Sequence, residues 1–245
     1  MATDALRPQL LPATRTRPIA DRVFFSTMIL LLWATVLVGF AKTYFLAGMT
    51  SAPLPNRLIH VHGAVFTSWM ALLLVQQGLI TIRKVAWHRT LGLFGFALAL
   101  VMCIVGLMAA TDALRRNVGH LGLDAKTFYV IPITAIGLFA VYVLFAWRAR
   151  RKPPVHKRLI LIATIALMDA AVGRWPVAAF QANPKLMDLV PFGFLLAIII
   201  YDLITHKKVL KPTIWASLLL VAVHLIRVPL GMTHAWHAFA TRMMA

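Results

Sequence analysis

"RLIHVHGAVFTSWMALLLVQQ", residues 57–77, opens on one charged side chain, Arg57, and then runs without Asp, Glu, Lys or Arg to its end. As a helix rising about 1.5 Å per residue, a run of this length covers roughly the 30 Å of a bilayer's hydrocarbon core. Six more runs of the same kind flank it, and together they predict spans over about 23–46, 59–82, 91–111, 127–147, 158–181, 186–205 and 213–240. Composition agrees: 61% of the 245 residues are hydrophobic and 13% are charged, against about 25% charged in ordinary soluble domains. The expectation is an all-α integral membrane seven-helix bundle over residues 23–245, preceded by a basic segment over 1–22.

The net charge of +18 invites a nucleic-acid reading, which the placement of the basic residues excludes. Arg7, Arg15, Arg17 and Arg22 precede the first span. Arg83, Lys84 and Arg89 follow the second; Arg148, Arg150, Arg151, Lys152, Lys157 and Arg158 follow the fourth; Lys207, Lys208 and Lys211 follow the sixth. A seven-span chain puts all of these on one side, leaving Arg57, Arg115, Arg116, Lys126, Lys185 and Arg242 on the other. By the positive-inside rule the N-terminus is cytoplasmic and the C-terminus outside. The expected partner is the lipid bilayer, with the basic loops near anionic headgroups and no nucleic acid.

Cys103, inside the third span, is the single cysteine, so there is no disulfide framework and no CxxC motif. The run after residue 22 is longer than a signal-peptide core and has no small-x-small cleavage site, so the first span is expected to be retained. The later spans form three hairpins whose basic loops carry "WHRTLG" (87–92), "VHKRL" (155–159) and "THKKVL" (205–210). The plain reading of this repeat is preferred: such loops are basic anyway, and histidines at headgroup level need no special role. Pro55, Pro153, Pro154, Pro184 and Pro212 fall in loops or at helix starts, where the missing N–H matters little. Pro229 lies inside the seventh span and predicts a kink there.

Ionisable groups at membrane depth are costly, about 2.5–3.5 kcal/mol on insertion scales, and usually face a bundle interior or a cavity. "LMDAAVGRWP" (167–176) puts Asp169 near mid-membrane and Arg174 further out; "AVHLIRVPLGMTHAWH" (222–237) brings His224, Arg227, His234 and His237. At i and i+3, His224 and Arg227 share a helix face, and in one continuous helix His234 lies two turns further along it. Asp169, or Asp188 at the start of span 6, is the expected counter-charge for Arg227. In the opening segment His60 and His62 project about 200° apart, so one centre cannot take both from a regular helix. His62, in line with Phe66 and Trp69, is expected to face inward, and His60 to lie outside on the small-residue face of Ala64, Ser68, Ala71 and Val75.

These groups predict an outward-facing polar cavity lined by spans 2, 5 and 7. Its leading use is binding of haem b or a transition metal. Haem would take His62 with His224 or His234 as axial ligands, while Arg227 and Arg174 meet the propionates. A metal would take His62, His224, His234 and Asp169. A quinone or another electron-transfer partner is the expected counterpart of a redox centre. Two alternatives stay open: a metal-dependent enzyme acting on a lipophilic substrate, and a non-enzymatic transport or assembly protein whose Asp–Arg–His network is structural.

Two resemblances bear on these readings. Over spans 2 and 3 the His-x-His-Gly and His-Arg-x-Leu-Gly wording loosely resembles membrane b-type cytochromes. Most of the chain resembles a group of uncharacterised bacterial inner-membrane proteins through "HVHGAVFTSW" (60–69), "HRTLG" (88–92), "HKRLILIAT" (156–164) with "RWP" (174–176), and "YDLIT" (201–205) with "KPTIW" (211–215). The second resemblance implies the seven-span fold and multi-pass residence in the bacterial inner membrane, and brings no activity.

Overall fold

Long apolar runs bounded by polar caps become helices, and the caps are visible. Asn56 accepts from the Ile59 N–H at 2.9 Å and starts α2 (Arg57–Thr81), while Asp124 accepts from the Lys126 and Thr127 N–H groups and starts α4 (Ala125–Arg148). The computed structural model describes residues 16–49, 56–120 and 122–244; Pro55 and most of the expected 1–22 segment, through residue 15, lie outside them. Among the described residues the chain is all-helical apart from one isolated bridge. α1 (Thr16–Phe40) passes into a π turn over Ala41–Phe45, and α3 covers Val85–Arg115. α5 (Pro153–Ile165) and α6 (Asp169–Val172) follow, then α7 (Ala178–Ala182) and a 3₁₀ turn, Pro184–Asp188. α8 (Leu189–His206), α9 (Lys211–Gly231) and α10 (His234–Met244) complete the chain.

Six of the described helical stretches are long and apolar enough to cross a membrane: Ile19–Phe45, Arg57–Thr81, Val85–Arg115, Ala125–Arg148, Pro184–His206 and Lys211–Gly231. The expected fifth span is divided. α5 has 13 residues, about 20 Å of helix. The next turn closes through the tighter i→i−3 pattern, with Leu167 N–H on the Thr164 carbonyl and Met168 N–H on the Ile165 carbonyl, before α6 resumes. The expected seventh span also differs from one continuous helix. α9 ends at Gly231, two residues after Pro229, and α10 starts afresh behind Thr233, whose hydroxyl accepts from the Trp236 N–H at 3.2 Å. α10 then packs on the ends of α3 and α4, where the Trp236 indole donates to the Lys126 carbonyl at 2.8 Å.

The core is continuous through α1, α2, α4, α5, α8 and α9, with Leu32, Tyr142, Ile162, Ile198 and Leu220 fully buried. The outward faces are apolar too, as in Leu30, Phe94, Leu100, Leu218 and Leu225, the pattern of helices meeting lipid. Most of the basic loop residues gather at one end of the bundle, hereafter the basic end. At that end Arg158 and Asp202 pair with no solvent exposure on either side chain. Arg158 Nε donates to Asp202 Oδ1 at 2.9 Å and Nη1 to the Pro154 carbonyl at 2.8 Å; Asp202 Oδ2 also accepts from the Leu210 N–H and the Thr213 hydroxyl. Nearby, Lys157 pairs with Asp21 at 2.6 Å, and the Tyr201 hydroxyl donates to the same carboxylate.

Candidate functional site

Towards the other end, three segments converge. Asp169 begins α6, Asp188 precedes α8, and His224 and Arg227 lie one turn apart on α9. Their approach depends on two glycines. A Cβ on Gly39 of α1 would lie 2.2 Å from the Ala171 carbonyl oxygen, so α6 rests directly on the α1 backbone. A Cβ on Gly231 would lie 2.9 Å from the Thr127 carbonyl oxygen, so α9 also approaches the α4 backbone closely, though less tightly. Larger residues at either position would push the ligand-bearing elements apart.

Arg227 Nη1 donates to Asp169 Oδ2 and Nη2 donates to Asp188 Oδ1 at 3.2 Å, so one guanidinium holds both carboxylates. His224 and Arg227 are buried, with Phe192 beside the imidazole ring. His224 Nδ1 lies 3.0 Å from the Leu220 carbonyl and Nε2 lies 3.2 Å from Asp169 Oδ2. A carbonyl and a carboxylate only accept, so the ring satisfies both when both of its nitrogens carry hydrogen. In that state two carboxylates, one guanidinium and one imidazolium sum to zero charge. One nitrogen of the cluster is unused: Arg227 Nε is buried with no hydrogen-bond partner among the described residues.

One ligand atom each from Asp169, Asp188 and His224 lies within 4.8 Å of the others, close enough to hold one metal ion. Of the residues expected from sequence, Asp169 and His224 belong to this set, and Asp188 joins them. His62 and His234 stand outside it. His62 is half-buried, stacked on Phe66 with ring centroids 4.1 Å apart, and its Nδ1 has no partner among the described residues. His60 is exposed, and its carbonyl accepts from the Tyr44 hydroxyl at 3.2 Å. The Tyr44 ring fills the space a Gly63 side chain would need. His234 is exposed on α10, because the break at Met232–Thr233 takes it off the face that carries His224 and Arg227. Arg174 turns back to the Ala170 carbonyl and covers the Phe40 ring at 4.8 Å, away from the carboxylates.

Sequence reasoning passed over Gly39, which sets the seat of α6, and the pair Arg158–Asp202. Arg158 adjoins a basic loop and reads as one more topology charge; its partner is 44 positions away, and no local pattern signals the pairing. Two hydrogen bonds join sequence segments that lie far apart or in different helices. Trp69 donates to the Thr164 hydroxyl at 3.1 Å, and Asp202 accepts from Thr213 at 2.6 Å. Compared with family models, with curated proteins and with solved structures, the chain matches none.

Proposed function

We propose that this is a multi-pass protein of the bacterial inner membrane that binds one divalent transition metal through Asp169, Asp188 and His224. The observation that carries the reading is the convergence of these three ligand atoms within 4.8 Å from three separate segments. Two carboxylates and one imidazole suit Mn²⁺, Fe²⁺ or Zn²⁺ and leave coordination positions open. The ion takes the place of the proton on His224 Nε2, since a ligating imidazole nitrogen must be bare. With Arg227 still present the occupied site carries one positive charge in excess, and an anionic oxygen on the metal, from hydroxide or substrate, would cancel it. The unpartnered Arg227 Nε is the donor available to hold that oxygen.

A bare ion is favoured over haem b because the second axial imidazole that haem would take is missing from the cluster: His62 and His234 both stand outside it, and the groups that do converge on His224 are carboxylates. In the same proposal the basic end is cytoplasmic, by the positive-inside rule, and α5 with α6 acts as a seventh crossing.

The test is metal binding by the purified protein. Titration with Co²⁺ as an optical probe should give saturable d–d absorption at one ion per chain, with binding tighter as pH rises because protons compete with a metal for its ligands. Asp169→Asn and His224→Gln should each remove it. Wild-type protein that takes up no Co²⁺, Mn²⁺ or Zn²⁺ overturns the reading and leaves a structural or transport role for the network.

A further inference from the structure

A second polar set lies at the basic end, where the "WHRTLG" and "VHKRL" histidines meet. Between α1, α2, α3 and α5 is a cavity of about 130 Å³, walled by apolar side chains that include Phe25, Trp69 and Phe96. Its polar end is formed by Gln76, Gln77, His88, His156 and Lys157. Three of these five are engaged. Gln77 donates to the Arg22 carbonyl and Ser26 hydroxyl, His156 Nδ1 meets the Ala146 carbonyl at 3.0 Å, and Lys157 pairs with Asp21. The other two each keep an open atom: the His88 ring bonds the Gln76 backbone, yet Gln76 Oε1 and His88 Nδ1 are buried with no hydrogen-bond partner among the described residues. Buried polar groups without partners are rare enough in folded proteins to need an explanation.

Size and shape narrow the occupant. An apolar cavity of roughly 150 Å³ accepts a benzene ring, so this one is of the size to take a single aromatic ring, with Trp69 and Phe96 in its wall. A hydroxyl on that ring has one hydrogen and two lone pairs, so it can donate to the Gln76 amide oxygen while accepting from His88 Nδ1 in the ring form that carries hydrogen there. A neighbouring groove is the candidate route in. A lipid-facing groove between α2 and α3, formed by Ser68, Ala71, Val75, Leu91 and Phe94, shares Leu72 with the cavity. The Leu72 Cδ2 lies 2.9 Å from where a Gly95 Cβ would be, so this side chain is the partition between ring site and groove.

We propose that the basic-end cavity binds a lipophilic phenol, its ring among Trp69 and Phe96, its hydroxyl on Gln76 and His88, and its alkyl or isoprenoid tail along the α2–α3 groove past Leu72. The site is separate from the Asp169 cluster and does not depend on the metal reading.

The experiment uses the full-length protein in dodecylmaltoside, with binding followed through tryptophan fluorescence. The probes are 4-decylphenol and 4-decylanisole, which enter the same micelles and differ in the ability to donate a hydrogen bond. The phenol is expected to bind saturably and at least tenfold more tightly than the anisole, the worth of one or two hydrogen bonds. His88→Leu and Gln76→Leu should each reduce that preference severalfold or more, and Leu72→Trp should weaken the phenol through the blocked partition while leaving metal uptake at Asp169 unchanged. Equal binding of phenol and anisole by the wild-type protein, which needs no variant to fold, overturns the proposal, as does a preference that survives both leucine substitutions.

Discussion

Arg158 and Asp202 form an ion pair from which water is wholly excluded, on two helices that meet at the basic end. Both partners are held further: the guanidinium also reaches the Pro154 carbonyl, and the carboxylate also holds the start of α9 through the Leu210 N–H and Thr213. Removing one partner leaves a buried charge unanswered. Asp202→Ala should therefore destabilise the protein by about 3–5 kcal/mol, and the double change Arg158→Met with Asp202→Leu should recover much of that loss. Chemical unfolding in detergent, followed by circular dichroism, measures both.

Gly39 offers a sharper test because the obstacle is backbone. Gly39→Ala sets a methyl group 2.2 Å from the Ala171 carbonyl oxygen, so α1 and α6 must separate. A cost of about 1–3 kcal/mol is expected, together with weaker metal uptake, since α6 carries Asp169. Gly193→Ala is the control: a Cβ there meets nothing within 4 Å, and the change should be neutral or stabilising by up to about 1 kcal/mol through helix propensity. Equal effects of the two substitutions on unfolding would contradict the close approach.

Asp124 links α4 to pH. The Thr127 hydroxyl and the Thr127 and Lys126 N–H groups donate to this carboxylate and hold its pKa below the ordinary value of 3.8, against a small opposing effect of burial. The folded value is the lower one, so the stabilisation is complete above the unfolded pKa and is lost as pH falls through the folded one. Asp124→Ala should cost about 1 kcal/mol at neutral pH, and the gap to wild type should shrink below pH 4. Unfolding midpoints measured at pH 7 and at pH 3 test the sign.

Whether α5 and α6 together cross the bilayer is decided by side-specific labelling. In a Cys103→Ala background, single cysteines at Lys84, Arg151 and Lys208 should react with an impermeant maleimide from one face, and those at Val118 and Lys185 from the other. Lys185→Cys reacting together with Arg151→Cys would remove the seventh crossing.

Much of this arrangement is written in local pattern. Uninterrupted apolar runs such as 59–82 and 91–111 mark their helices because a backbone in lipid must bond within itself. The i, i+3 spacing of His224 and Arg227, in a chain with so few acids, already points Arg227 at Asp169 or Asp188, and it binds both. Two kinds of feature escape such reading. One is the way a helix ends: Pro229 announces a disturbance, but only the capping by Thr233 shows that α10 departs and carries His234 with it. The other is contact between distant segments, as in the seat of α6 on Gly39 or the pairing of Arg158 with Asp202. Each depends on tertiary packing that neighbouring residues do not encode.

The charges gathered by Asp169, Asp188 and Arg227 have an electrical consequence. Two carboxylates against one guanidinium leave one net negative charge, and moving a unit charge through the whole field of a membrane potential is worth about 2.3 kcal/mol per 100 mV. Under the proposed metal reading, a doubly charged ion would reverse the sign of the site. Its occupancy would then follow the energisation of the cell, in proportion to how deep in the field these side chains lie.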